Sequence, residues 1–213
     1  PGTNAVIGIA PLNPASLIDD RSMKANVWRS IGNLQIDYIM PFLPELRANL
    51  NLGYDVSKST QHNKMFPNSP ITYKENKKLG LGQDEKLSQL KRNQLLDFYL
   101  NYKNHFKEIR SDLDIMAGYS WQRFYKDGAT NTLLMPDGEP WYYKGYADHL
   151  QLLSFFGRIN YTFQDTYLLT FTLRGDATSR FSKDNRWGTF PALALGWKII
   201  NEPFMQKATN FMN

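Results

Sequence analysis

The chain has 213 residues, with 25 Lys and Arg against 20 Asp and Glu, a formal net charge of +5, and no cysteine. Disulfides, zinc–thiolate sites and a cysteine nucleophile are therefore excluded. The mild, dispersed positive charge carries no nucleic-acid-module pattern, even at Lys74–Lys78 (KENKK), which argues against a nucleic-acid partner.

The predicted elements are strands. Trp28, Ser30, Gly32, Leu34, Ile36, Tyr38 and Met40 alternate with Arg29, Asn33, Gln35 and Asp37. Leu46, Ala48, Leu50, Leu52, Tyr54 and Val56 alternate with Arg47, Asn49, Asn51 and Asp55. The best helical candidate, Gln83 to Gln94, has few strong apolar positions. Next, Leu96, Phe98, Leu100 and Tyr102 oppose Asp97, Tyr99, Asn101 and Lys103, and Leu113, Ile115, Ala117, Tyr119 and Trp121 oppose Asp112, Asp114, Gly118, Ser120 and Gln122. Phe155, Gly157, Ile159, Tyr161 and Phe163 oppose Phe156, Arg158, Asn160 and Thr162. After Gln164-Asp165-Thr166, Tyr167, Leu169, Phe171 and Leu173 oppose Leu168, Thr170, Thr172 and Arg174, which predicts a hairpin. From Trp187 to Ile199, Leu193, Leu195, Trp197 and Ile199 oppose Ala192, Ala194, Gly196 and Lys198. A period of two means one apolar and one polar face, so the chain reads as all-β.

The links decide which medium the apolar face meets. They alternate short (Pro41 to Glu45, Asn104 to Ser111, Gln164 to Thr166) and long (Ser57 to Lys91, Arg123 to Gln151, Ala177 to Arg186). In an up-and-down meander, all short links then lie at one end of the sheet, as in outer-membrane barrels with short periplasmic turns and long extracellular loops. Strands of about 10 to 13 residues also suit a tilted bilayer crossing better than the 5 or 6 usual in soluble sheets. Tyr38, Phe42, Tyr102, Phe106, Tyr161, Phe163 and Tyr167 cluster near the short turns, where an interfacial girdle belongs. The apolar face is therefore expected to meet membrane lipid and the polar face a wet lumen. The polar face is too charged for a small filled barrel, which predicts an antiparallel transmembrane β-barrel segment of about seven strands from a larger barrel. A soluble secreted β-sandwich binding glycans and a passive porin or adhesin barrel are the rivals.

Chemistry-bearing motifs are few. Asp112 and Asp114 share a wet face and lack the contrasting environments an acid/base pair needs. His62, His105 and His149 lack metal-ligand spacing, and G-x-S-x-G, P-loop and H-E-x-x-H are absent. The expectation is no enzyme, cofactor or metal. The RGD triplet Arg174–Asp176 is too short a motif to mark integrin-type adhesion. Arg180 and Arg186 are expected to pair with Asp176 and Asp184, which ligand spacing does not mark as a calcium site. The loop DGEPWYYKGY, Asp137 to Tyr146, is the best candidate substrate contact. Trp141, Tyr142, Tyr143 and Tyr146 would stack on sugar rings, and Asp137 and Glu139 would accept hydroxyl hydrogen bonds. Packing of the same residues onto neighbouring loops is the alternative.

Leu152 to Met205 resembles the barrel segment of SusC/RagA-type TonB-dependent outer-membrane transporters. The pieces carrying it are FGRINYTF (Phe156–Phe163), YLLTFTLRGDATSRF (Tyr167–Phe181) and NRWGTFPALALGWKIINEPFM (Asn185–Met205). Asn13 to Asp55 is similar to the preceding family segment, and Ala177-Thr178 stands where the family more often has Gly-Ser. The resemblance implies a barrel of about 22 strands, with an N-terminal plug, importing oligosaccharides or peptides on energy from the TonB complex. It also implies a strand end at Arg174–Asp176, a SusD-type lipoprotein lid, and location in the bacterial outer membrane. Residues 1–213 are then expected to be a partial barrel domain, with plug, TonB box and remaining strands outside them.

Overall fold

The computed structural model describes residues 14–69, 72, 80–135 and 140–205. A short helix α1, Pro14–Asp19, precedes seven strands: β1 Arg21–Met40, β2 Leu43–Met65, β3 Gly82–Phe106, β4 Ser111–Met135, β5 Pro140–Phe163, β6 Tyr167–Thr178 and β7 Trp187–Trp197. They form one sheet in sequence order, β1 to β7. β5 and β6 pair antiparallel from Leu152↔Thr178 to Phe163↔Tyr167, and β6 and β7 from Tyr167↔Trp197 to Ala177↔Trp187. This is the expected meander.

A sandwich would bury its apolar face in a second layer. Here Met65 and Leu134 are the only buried apolar residues among those described, while Leu193, Leu195 and Phe190 are 66%, 78% and 57% exposed. The sandwich reading is thereby overturned, because among the described residues the strands form a single sheet with no second layer over its apolar face.

Strand lengths differ from expectation. β2 to β5 have 23, 25, 25 and 24 residues, whereas β6 and β7 have 12 and 11. At about 3.4 Å per residue and a tilt of about 45°, β6 and β7 each rise roughly 25–30 Å, one hydrocarbon thickness. β2 to β5 have about twice that reach. The expected long loops Ser57–Lys91 and Arg123–Gln151 are therefore largely strand, and the helical candidate Gln83–Gln94 lies inside β3. Outside lipid both faces of a strand meet water, so the apolar–polar alternation that marks a crossing is lost and these stretches read as loop.

By internal packing the chain divides into two units: residues 1–30, 55–92 and 125–148, and residues 31–54, 93–124 and 149–213. In the second, Phe155 packs on Tyr119 with ring centroids 5.3 Å apart and on Trp187 at 6.0 Å, all on the apolar face. Trp187 and Trp197 stand at opposite ends of β7, ten residues apart, as two interfacial belts require. Near the short turns, Phe163 stacks on Tyr167 at 6.3 Å, and the Ser111 and Tyr161 hydroxyls are 3.0 Å apart. The turn after β5 has positive φ at Gln164 (49°) and Asp165 (53°), with Thr166 N–H donating to Phe163 O at 3.0 Å. Positive φ at both central residues gives the turn the twist of the strands it joins. Lys198 Nζ, 2.5 Å from the Asp165 carboxylate, fixes the turn and holds that carboxyl below its ordinary range.

Candidate functional site

The polar face is a ladder of charge-assisted contacts. Arg29 donates through Nε and Nη2 to the two carboxylate oxygens of Asp55, both at 2.9 Å. Asp114 accepts from Asn101 Nδ2 at 2.7 Å and lies 3.3 Å from Lys103 Nζ, while Asp112 is 2.6 Å from His105 Nδ1. Asp112 and Asp114 thus have separate partners and do not act as a pair. Asp97 accepts from Ser120 at 2.5 Å, and Arg174 binds Asp176 at 2.7 Å and Ser154 at 3.1 Å. The expected partner of Asp176 is corrected, since Arg174 on its own strand reaches it first. Arg186 Nε donates instead to Phe181 O at 3.1 Å.

The three histidines sit in three places. His62 Nε2 is 2.6 Å from Asp84, His105 meets Asp112, and His149 meets Arg123. Among the described residues no group of three His, Asp or Glu lies close enough to hold a metal. Burial alone would raise the Asp84 carboxyl, but His62 and Lys64 (3.4 Å) outweigh it and hold the group below its ordinary range.

Of the predicted contact residues, Asp137 and Glu139 lie outside the described residues. Trp141, Tyr142, Tyr143 and Tyr146 lie on β5 rather than on a loop, and all four are exposed. Strand alternation divides them: Tyr142 and Tyr146 share the polar face, and Trp141 and Tyr143 the other. Two of the four thus share a strand face with Phe156 and Arg158.

Around Tyr146 the first unit builds a patch. Gln89 Nε2 on β3 donates to the Tyr146 hydroxyl at 2.5 Å, and Lys126 Nζ on β4 stands 5.3 Å from the ring centroid. Gly128 makes room: a Cβ there would lie 2.7 Å from the Tyr146 hydroxyl and would also strike the Ser88 carbonyl. The ring is held at its hydroxyl and carries a cation beside it, and Tyr146 as a whole is 39% exposed. A flat aromatic face flanked by an amide and an ammonium suits a hydroxyl-rich or carboxylate-bearing solute. Gln89, Lys126 and Gly128 escape a sequence reading that treats their segments as loops. Once β3 and β4 are extended at a period of two, Gln89 and Lys126 fall on the face of Asp97 and Ser120.

A family model described as "TonB dependent receptor-like, beta-barrel" matches residues 8–209. The chain is 36% identical over 211 aligned positions, 92% of its length, to the TonB-dependent receptor SusC of Bacteroides thetaiotaomicron. It is 29% identical over 211 positions to the TonB-dependent receptor P3 of Formosa agariphila. It spans 20% of the length of each of these relatives. Among solved structures, it superposes on the RagAB peptide transporter with a TM-score of 0.74 at 20% identity, covering 88% of this chain and 21% of that one. On the open-open state of the RagAB peptide importer the TM-score is 0.76 over 89% of this chain.

Proposed function

This chain belongs to the TonB-dependent receptor-like β-barrel family of the bacterial outer membrane, a family of transporters and not of enzymes, and from that premise we propose that it forms wall and vestibule of an active importer. The sheet has two edges, β1 and β7. Open edges are not tolerated in lipid, so further strands must pair with them in a larger barrel of about 22 strands. Residues 1–213 are a portion of that barrel, acting as scaffold and conduit. A plug moved by the TonB complex supplies the gate, and a SusD-type lipoprotein closes the extracellular side. The substrate is an oligosaccharide or a peptide. Identity to SusC supports the active importer over a passive porin or adhesin, and the likeness to RagAB supports the fold.

The observation that carries a substrate role for this chain is the Gln89–Tyr146–Lys126 patch, with Tyr142 four residues away on the same face of β5. Asp137 and Glu139 remain candidates from the sequence, whereas Trp141 and Tyr143, on the opposite face, are better placed to contact neighbouring protein or lid. The test is uptake of labelled oligosaccharides and peptides by cells carrying the full-length transporter. Tyr146→Ala should weaken half-saturation about tenfold, from the loss of ~1–2 kcal/mol of stacking and hydrogen bonding. Uptake indistinguishable from wild type, with normal barrel abundance, would remove the patch from the substrate path. Uptake that persists after the proton-motive force is collapsed would favour the passive barrel.

A further inference from the structure

On β4 the apolar face runs through Leu113, Ile115, Ala117, Tyr119 and Trp121 and then, in the same alternation, reaches Arg123. On β5 the same face leads from Phe155 through Leu153 and Gln151 to His149. Both side chains belong to the second unit, and they meet there: Arg123 Nη2 is 3.4 Å from His149 Nε2. Arg123 Nε is shut off from water yet has no hydrogen-bond acceptor among the described residues. No carboxylate pairs with Arg123 in that set either.

An arginine at a membrane interface ordinarily extends its head into water, where every N–H is satisfied. A guanidinium with a shielded, unbonded Nε is costly unless an acceptor arrives from outside the protein. That acceptor would approach from the side that Tyr119, Phe155 and Trp187 mark as the lipid interface. Headgroups of the outer leaflet present phosphate at this level. The guanidinium fork binds phosphate oxygens in a bidentate manner, and an exposed imidazole beside it adds a donor when protonated.

We propose that Arg123 and His149 form a headgroup site that holds the phosphate of an outer-leaflet lipid against the aromatic belt. The site anchors one lipid to the wall at β4–β5 and is separate from the substrate path on the other face.

The full-length barrel, purified in detergent, is titrated with phosphorylated lipid A and with its dephosphorylated form, and bound lipid is counted by native mass spectrometry. Wild type should retain the phosphorylated form, Arg123→Gln should bind it roughly tenfold more weakly or worse, and Arg123→Lys should fall between, since it keeps charge but loses the fork. Lys103→Gln, on the polar face, should bind as wild type does. Equal retention by a folded Arg123→Gln barrel would overturn the site, and so would equal binding of the dephosphorylated lipid. Thermal protection by inorganic phosphate alone, matching that by lipid, would overturn the lipid as its source. Should Arg123→Gln fail to fold, the comparison is read on His149→Gln at its exposed position, where unchanged binding would overturn the pair.

Discussion

β6 and β7 end where a bilayer crossing ends, at 12 and 11 residues, whereas β2 to β5 run on to between 23 and 25. The short pair is nearly all membrane wall, with apolar residues on one face and Thr170, Thr172 and Arg174 on the other. The long strands are wall for half their length, and only their remainder carries the Gln89–Tyr146–Lys126 patch. Stretches of a length that crosses lipid and stretches that run beyond it thus share the same strands. A substitution should have consequences that depend on which stretch it falls in.

The largest contrast comes from charge on the apolar face. Leu193→Arg, midway along β7 and paired with Phe171, should destabilise the full-length barrel by about 2–4 kcal/mol in urea unfolding from vesicles. The same change at Ala129, in the long part of β4, should move stability by no more than about 0.5 kcal/mol. Similar costs at both positions would mean that β4 also runs through lipid there. Gly128→Ala should come next. The new methyl meets the Ser88 carbonyl and the Tyr146 hydroxyl, at a cost of roughly 1–3 kcal/mol, and substrate binding should fall as it does in Tyr146→Ala. Retained binding would show that Tyr146 need not keep this position.

A smaller effect is expected at Asp84. Its carboxyl is held below the ordinary value, so its pairing with His62 and Lys64 stabilises the β2–β3 hairpin at pH above about 3.9 and is lost as pH falls through the lower folded value. Asp84→Asn should speed hairpin proteolysis at neutral pH by no more than about fivefold, for a pair worth up to ~1 kcal/mol. Identical rates would show that the pair adds nothing. The smallest effect belongs to Arg29→Gln: the bidentate pair with Asp55 is exposed, and its loss should leave the midpoint of equilibrium unfolding within the scatter of repeat titrations.

The crossing segments were legible in the sequence because lipid on one side and water on the other impose a period of two that only a strand satisfies. Trp28 to Met40, Leu46 to Val56 and the Leu152–Thr178 hairpin therefore stand where alternation puts them. The strict alternation of short and long links did not carry over: β4 ends at Met135 and β5 begins at Pro140, as close in sequence as Phe106 and Ser111 between β3 and β4. Beyond lipid that contrast vanishes, and Ser57–Met65, Gly82–Lys91, Arg123–Met135 and Pro140–Gln151 are strands that composition alone reads as loop. The candidate site suffered for the same reason. The aromatic run Trp141–Tyr146 was visible, but its division between faces and the arrival of Gln89 and Lys126 depend on pairing with strands distant in sequence. Solvent contrast is a local property and leaves its mark on the sequence. Which side chains meet across a ladder depends on register, which hydrogen bonds between distant segments settle only in the folded sheet.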